Sequence, residues 1–162
     1  MIAYKHLRNC TNILDIGCGI GRFISLFDRN KITGLDSNPN TVKQLMERDF
    51  KVLELNALDI DKLEEKYDGI HCSHLMEHLY PDQVHELLIK IDSLLVTNGV
   101  LVIRGPLLSK YFYDDLTHIK PYNPFVFIRY LTYGTEQQST KRILAEINFT
   151  EIYSSSFLSK ED

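Results

Sequence analysis

The feature that most constrains the fold of this chain is the alternation of short apolar runs with helical patterns. Buried strands are predicted for residues 12–16, 31–36, 51–55, 69–73, 100–103 and 149–153. Between these strands the apolar residues recur at helical spacing, most clearly over residues 83–95. Repeated strand–helix alternation is typical of a parallel sheet covered by helices on both faces. The sequence therefore predicts an α/β fold arranged as a three-layer sandwich.

The remaining helices and the ends of the chain define the predicted boundaries of the sheet. Further helices are predicted over residues 22–29, 41–49, 59–66 and 141–147. About eleven residues precede the first strand, so we expect an N-terminal helix to be short or absent. Little sequence follows residue 156, so we expect either a truncated sheet or an edge covered by a partner subunit, as in a homodimer.

Charge and cysteine content exclude several classes of function. The net charge of −4 and the absence of a basic stripe argue against a nucleic-acid partner. Three widely spaced cysteines form neither a disulfide framework nor a zinc ribbon. The apolar runs are too short to span a membrane, and the first ten residues do not resemble a secretory signal. A cytoplasmic location is the expectation.

A glycine-rich stretch, LDIGCGIGRF at residues 14–23, follows the first predicted strand. Glycines at alternate positions allow a sharp turn and leave backbone N–H groups accessible to a ligand. Dinucleotide-binding folds require G-x-G-x-x-G, with the third glycine beneath a pyrophosphate. Arg22 occupies that third position here, and the pattern is D-x-G-x-G-x-G. The stretch therefore favours a ligand without a diphosphate.

Two acidic residues follow the next two strands. Asp36 ends the second strand, where a carboxylate can accept hydrogen bonds from both hydroxyls of a ribose. Asp59, in LNALDI, stands where it can meet an adenine amino group, and the alternative is that it caps the helix that follows. In SNPN, either Ser37 or Asn38 is placed to cap the next helix, with Pro39 in its first turn.

Five segments together resemble the class I S-adenosylmethionine-dependent methyltransferases. They are ILDIGCGIGRF, GLDSNP, NALDI, YDGIHCSHLMEHL and LLVTNGVLVIRGP, in the family's order and spacing. The resemblance implies one Rossmann-like domain over residues 1–162, with a mostly parallel six- or seven-stranded sheet and S-adenosyl-L-methionine as cofactor. The cofactor-binding residues that it implies are Asp15, Gly17, Cys18, Gly19, Gly21, Arg22, Asp36, Ser37, Asn38, Ala57, Leu58, Asp59, Ser73 and His74. Asp15 or Arg22 would hold the ammonium or carboxylate of its methionine end.

The segment SHLMEHL after the fourth strand carries His74, Glu77 and His78. Their H-x-x-E-H order matches inverted zinc peptidases, but a strand end before it and Pro81 after it disfavour the long helix that such a site needs. Small-RNA 3′-end methyltransferases bind a divalent ion at E-x-x-E-H together with a distant histidine. That alternative stays open with His118, although the first glutamate is replaced by histidine. We expect no metal, and we place His74 and Glu77 beside the methyl group or its acceptor.

An aromatic segment follows the fifth strand, with eight of the seventeen aromatic residues between Tyr111 and Tyr133. Its DDLTHIKPYNP resembles a D-x-T-H stretch that covers the site in a subgroup of methyltransferases, which predicts a lid insertion at about residues 106–136. Many members of that subgroup methylate small hydroxylated metabolites or sugars of glycans. His118 is therefore the candidate general base for a hydroxyl acceptor. The alternative is a histidine that bonds Asp115 and shapes the loop.

Two other functions remain as hypotheses. A cofactor-binding module that needs a partner chain would explain the short ends of the domain. A nicotinamide-dependent oxidoreductase is disfavoured by Arg22 and by the fourth-strand motif. The tetrapeptide N-P-P-Y or D-P-P-Y, typical of enzymes that methylate bases, is replaced at residues 73–76 by SHLM. Methylation of the amino groups of bases is therefore disfavoured, and the resemblance to the D-x-T-H subgroup implies O-methylation of a small molecule or glycan.

Overall fold

The computed structural model describes residues 2–131, and the chain separates into two compact units, residues 1–122 and 123–162. The first unit contains helices α1 (Ile2–Leu7), α2 (Pro39–Met46) and α3 (Pro81–Leu94). Its strands are β1 (Ile13–Ile16), β2 (Ile32–Asp36), β3 (Val52–Glu54), β4 (Tyr67–Ser73) and β5 (Leu95–Arg104). The second unit contributes α4 (Pro124–Leu131). The helix predicted at 141–147, the strand at 149–153 and the end of the lid segment lie outside the described residues.

The five described strands form one parallel sheet in the order β3-β2-β1-β4-β5. The Rossmann-like α/β prediction is thereby confirmed, and further strands would fall in the part of the chain that is not described. Strand order reverses beside β1, because β2 and β3 extend to one side and β4 and β5 to the other. In such sheets a crevice opens at the carboxyl ends of the strands at this reversal. The glycine-rich stretch and the end of β4 both lie there.

The two faces of the sheet are filled by side chains of alternate residues. On one face α1, α2 and the 3-10 turn Ile24–Leu26 share a buried core with Ile13, Ile32 and Val52. Gly34 and Gly69 lie on this face, where a Cβ would lie within 3.0 Å of the Sγ of Cys18 and of Cys10, respectively. The apolar face of α3 is buried through Val84, Leu87, Leu88, Ile91 and Leu94. The periodicity of α3 in the sequence therefore predicted its buried face correctly.

Three elements differ from their prediction. A 3-10 helix over Ala57–Lys62 replaces the helix predicted over residues 59–66. Only the 3-10 turn Ile24–Leu26 forms where a helix over 22–29 was predicted. The Ser25 hydroxyl donates to the Arg22 carbonyl at 2.9 Å, a local bond that competes with helical pairing. Strand β5 begins at Leu95 rather than Val100, because the pairing with β4 continues past an irregularity between Tyr67 and Gly69. Within residues 2–131, no helix is long and apolar enough to cross a membrane.

Candidate active site

The glycine-rich stretch turns sharply off β1 through three residues with positive φ. Gly17, Gly19 and Gly21 have φ values of 72°, 50° and 81°. The N–H groups of Gly17 and Cys18 donate to the Leu35 carbonyl at 2.8 and 2.9 Å, which ties this loop to β2. A Cβ on Gly19 would meet nothing within 4 Å. The space in front of Gly19 is thus open to a ligand, as a cofactor cradle requires.

Gly21 has a different reason to be glycine. A Cβ there would lie 2.6 Å from Cδ2 of Leu45 in α2. Gly21 therefore lets α2 approach the loop closely, whereas Gly19 leaves room for a ligand. The sequence pattern predicted that both glycines contact the cofactor. In the structure Gly21 is required by packing against Leu45, whereas Gly19 faces open space.

The predicted residues Asp15, Cys18 and Arg22 lie around the loop in different environments. Asp15 is buried and its carboxylate bonds His71. The Cys18 side chain is also buried, and burial, followed by the charges of Asp15 and Asp36, raises its pKa to about 12. Arg22 is exposed. The roles predicted for these residues stay predictions.

Asp36 lies at the carboxyl end of β2 with both carboxylate oxygens engaged by backbone donors. Oδ2 accepts from the Gly19 N–H at 2.9 Å, and Oδ1 accepts from the Asn38 N–H at 2.9 Å. Each oxygen keeps a second lone pair for a ribose hydroxyl. Asp36 therefore fits the predicted ribose contact and also holds the glycine loop.

The other two predicted cofactor turns are fixed by helix caps. Asn38 caps α2, its side chain accepting from the N–H of Asn40 at 3.0 Å, with Pro39 in the first turn and Ser37 exposed before it. Asn56 caps the 3-10 helix Ala57–Lys62 by accepting from Leu58 N–H at 2.9 Å. The cap reading for Asp59 is therefore wrong.

Asp59 lies in the 3-10 helix that follows the carboxyl end of β3. Its carboxylate lies 3.2 Å from the Lys62 ammonium and is half-exposed. Ala57 is buried, and the Leu58 carbonyl accepts a hydrogen bond from Lys90 of α3. The contact of Asp59 with adenine stays a prediction, with its carboxylate accessible for that role.

At the end of β4, Ser73 is followed by a strained residue. His74 has φ of 54°, an uncommon conformation for a residue other than glycine. Its N–H donates to the Arg104 carbonyl at 3.0 Å, and its Nδ1 lies 3.2 Å from Oε1 of Glu77. The His74 side chain is 61% exposed and that of Glu77 is 2% exposed. This is an accessible imidazole held by a buried carboxylate.

The second carboxylate oxygen of Glu77, Oε2, is buried. Among the described residues, it has no hydrogen-bond partner. A Cβ on Gly105 would lie 3.4 Å from this oxygen, so a larger residue there would crowd it. The Glu77 carbonyl accepts from the N–H groups of Ile119 and Lys120 at 2.7 and 3.3 Å. Glu77 thus connects the end of β4 to the segment after β5.

His78 and His118 meet beneath that segment. Their ring centroids are 4.9 Å apart, and Nδ1 of His118 donates to the Phe112 carbonyl at 2.6 Å. Nε2 of His118 lies 3.8 Å from Asp115. Hydrogen bonds from Thr117, its side chain first, lower the pKa of Asp115. His118 therefore shapes the loop, and its predicted role as base stays a prediction.

One group in the described part of the chain has the spacing of metal ligands. Glu77, His78 and His118 each offer a donor atom within 4.8 Å of the others. Both histidines bond backbone carbonyls through Nδ1, as metal-bound histidines commonly do. These three residues could hold a divalent cation, and the expectation of a metal-free site stays a prediction.

Two aromatic residues of this region, His71 and Phe23, were not predicted from the sequence. His71 of β4 contacts Asp15, and Phe23 stacks on the His71 ring. The signal for His71 was a polar residue in the otherwise apolar run GIHCS. Phe23 carried no signal, because an apolar residue after a glycine loop is expected in any core.

Comparison with known proteins decides the family. A family model described as a methyltransferase domain matches residues 4–152. This chain is a methyltransferase domain. It belongs to the class I S-adenosylmethionine-dependent methyltransferases, and the predicted cofactor is confirmed for the family. No curated protein has a significant match to the chain.

Solved methyltransferase structures share this fold. A SAM-dependent methyltransferase from Archaeoglobus fulgidus has 33% identity and a TM-score of 0.68, over 76% of this chain and 59% of its own. A SAM-bound amino pentose methyltransferase from Micromonospora echinaspora has 18% identity and a TM-score of 0.58, over 67% and 48%. A sugar N-methyltransferase from Streptoalloteichus has 17% and 0.57, over 65% and 45%. The chain thus spans about half to three-fifths of the length of these relatives.

Proposed function

We propose that this protein transfers the methyl group of S-adenosyl-L-methionine to a hydroxyl oxygen of a small metabolite or of a sugar in a glycan. The observation that carries the proposal is the His74–Glu77 pair at the end of β4. An accessible imidazole and a buried carboxylate lie 3.2 Å apart at the crevice that the glycine loop borders. A hydroxyl acceptor must lose a proton, and this pair can receive it.

The cofactor supplies a methyl group that is already activated by the positively charged sulfur. The chain must therefore align the acceptor, and positioning alone can lower a barrier by roughly 7–11 kcal/mol in favourable cases. Asp36 fits a contact with the ribose of the cofactor, and the open space at Gly19 fits its methionine end. Arg22 at the third glycine position disfavours a diphosphate, which argues against the oxidoreductase alternative.

His74 suits the role of general base better than His118. A proton on Nδ1 of His74, donated to Glu77, leaves Nε2 free to accept the acceptor's proton, and the side chain is mostly exposed. His118 is only 16% exposed, and its ring lies between Phe112 and His78. His118 then acts by holding the loop in place.

The proposed class of methyl acceptor rests partly on what the solved relatives methylate. Two solved structures of this fold are described as amino pentose and sugar methyltransferases, one of them acting on nitrogen. At 17–18% identity these relatives show only the fold, so they indicate which compounds to test first. Exposed tyrosines and leucines at residues 107–116, among them Tyr111 and Tyr113, offer surfaces on which a sugar ring can stack.

A second candidate is a cofactor-binding module that requires a partner chain. The observation in its favour is that, among the described strands, β5 lies at one edge of the sheet and has no buried residue. A homodimer that covers a sheet edge is one form of such a partnership. The cytoplasmic location and the absence of a nucleic-acid partner remain predictions.

The deciding experiment incubates the purified protein with methyl-labelled S-adenosylmethionine and a panel of hydroxylated metabolites, sugars and amino sugars. Label on an oxygen of the acceptor supports the proposal. Label on nitrogen would contradict the choice of atom. Binding of S-adenosylhomocysteine without transfer to any acceptor would favour the module, and binding of NAD alone would overturn the family function.

A further inference from the structure

Asp15 and His71 form a buried polar pair in the middle of the sheet. They are register partners on the adjacent strands β1 and β4. Oδ1 of Asp15 lies 2.7 Å from Nδ1 of His71, and each side chain is 3% exposed. Buried charges are almost always paired or hydrogen-bonded, so the Asp15 carboxylate depends on His71.

The surroundings of His71 determine its protonation state. The Phe23 ring stacks on the imidazole at a centroid distance of 3.7 Å and an angle of 23°. Nε2 is buried, and among the described residues it has no hydrogen-bond partner. A second proton on Nε2 would create a buried N–H without an acceptor, which is costly. His71 therefore carries one proton, on Nδ1, and donates it to Asp15.

The pair consequently has a net charge of −1. The neighbouring thiols do not alter this charge, because burial, followed by the charge of Asp15, raises the pKa of both Cys18 and Cys72. Asp36 adds a second negative charge at the same end of the sheet. Asp15 precedes Gly17 by two residues, so the buried charge lies at the base of the glycine loop.

We propose that His71 is a positioning residue that keeps Asp15 ionised beneath the glycine loop, and that this buried negative charge makes the site prefer the sulfonium cofactor to its neutral thioether product. The inference rests on the proposed function. The two ligands share adenine, ribose and amino-acid groups and differ by one methyl group and one positive charge at sulfur. A buried charge is weakly screened, so it distinguishes them from several ångströms away.

The test measures dissociation constants of S-adenosylmethionine and S-adenosylhomocysteine by calorimetry for the wild type and four variants. Asp15→Asn removes the charge at nearly constant shape. His71→Leu removes the donor, and an unpaired buried carboxylate then takes up a proton. His71→Asn keeps an N–H donor. Phe23→Leu removes the stacked ring but keeps the hydrogen bond, which makes it the matched control.

We expect the affinity ratio of cofactor to product to fall about fivefold or more in Asp15→Asn and His71→Leu. The ratio should stay near the wild-type value in Phe23→Leu and largely recover in His71→Asn. If both ligands weaken by the same factor in Asp15→Asn, the inference is overturned while the proposed function stands. If His71→Leu does not fold, Asp15→Asn decides. If the wild type binds neither ligand, both proposals fail.

Discussion

Oγ1 of Thr117 lies 3.0 Å from Nδ1 of His78, which joins two motifs that are 39 residues apart in the sequence. The Thr117 hydroxyl donates to Oδ1 of Asp115 at 2.6 Å, and its N–H donates to the same oxygen at 2.9 Å. The D-x-T-H stretch therefore folds into a tight turn that rests on the E-H-L turn after β4. This contact holds the segment that follows β5 against the turn after β4.

Thr117→Val should loosen this segment and raise the pKa of Asp115 toward its ordinary value. The hydroxyl hydrogen bond from Thr117 is the largest cause of the lowered pKa, and valine cannot provide it. NMR titration of the Asp115 carboxyl group measures the shift, and hydrogen exchange at the Ile119 N–H reports the loosening. Thr117→Ser keeps the hydroxyl and is the control. Identical titration in both variants would contradict the prediction.

His74→Asn should lower turnover more than His118→Asn. The first variant removes the proposed base, worth about 10²–10⁴-fold in rate for a general base. The second removes the imidazole of His118, keeps an N–H donor for the Phe112 carbonyl and leaves the His74–Glu77 pair intact. Methyl transfer at saturating cofactor measures both, with S-adenosylhomocysteine affinity expected to change little. A larger loss of turnover in His118→Asn would indicate that His118 is the general base.

Asp36→Ala should weaken S-adenosylhomocysteine binding by about tenfold or more, because hydrogen bonds to a charged group contribute about 1.5–3 kcal/mol each. The variant also frees the N–H of Gly19, so the glycine loop should lose order. Calorimetry gives the affinity. Asp28→Ala, which removes an exposed carboxylate 4.0 Å from Lys31, is the matched control and should bind normally. Unchanged affinity in Asp36→Ala would refute the ribose contact.

Gly19→Ala and Gly21→Ala should separate binding from stability. Both place alanine at positive φ, which costs about 1–3 kcal/mol. Gly21→Ala adds a clash with Leu45 and should unfold at the lower temperature. Gly19→Ala fills open space and should lose more cofactor affinity relative to its loss of stability. Thermal unfolding measures the loss of stability of each variant, and calorimetry measures its loss of cofactor affinity. Equal losses in the two variants would contradict the prediction.

Asp68→Asn should destabilise the protein at neutral pH by about 1–2 kcal/mol, and the difference from wild type should shrink in acid. Burial raises the pKa of Asp68, but hydrogen bonds from Thr11 and Asn12 outweigh it and lower the pKa overall. A lowered pKa stabilises the folded state above the ordinary value near 4, and the contribution is lost as pH falls through the lowered value.

Unfolding temperatures at pH 7 and pH 3 test this linkage. The exposed Glu64→Gln is the control and should match the wild type at both values of pH. A constant difference between wild type and Asp68→Asn would show that the carboxylate charge contributes nothing to folding.

Most of the fold could be predicted from the sequence because the local residue patterns agree with the observed strands and turns. Apolar runs predicted all five described strands, and the glycine stretch, Asp36 and Asn38 fell where turns and caps require those residue types. The failure at residues 22–29 has a local cause, since the Ser25 hydroxyl bonds the backbone and leaves a single 3-10 turn. Periodicity does not register such competition.

By itself the sequence determined the strand–helix alternation of an α/β fold and the family, and it predicted the loops at which a cofactor would bind, because spacing and residue type are local properties. Only the tertiary structure decided which side chains meet. It placed Asp15 against His71 across two strands, gave His74 a buried carboxylate and brought Thr117 to His78. These contacts depend on strand register and loop conformation, which arise from packing of the whole sheet rather than from any one segment.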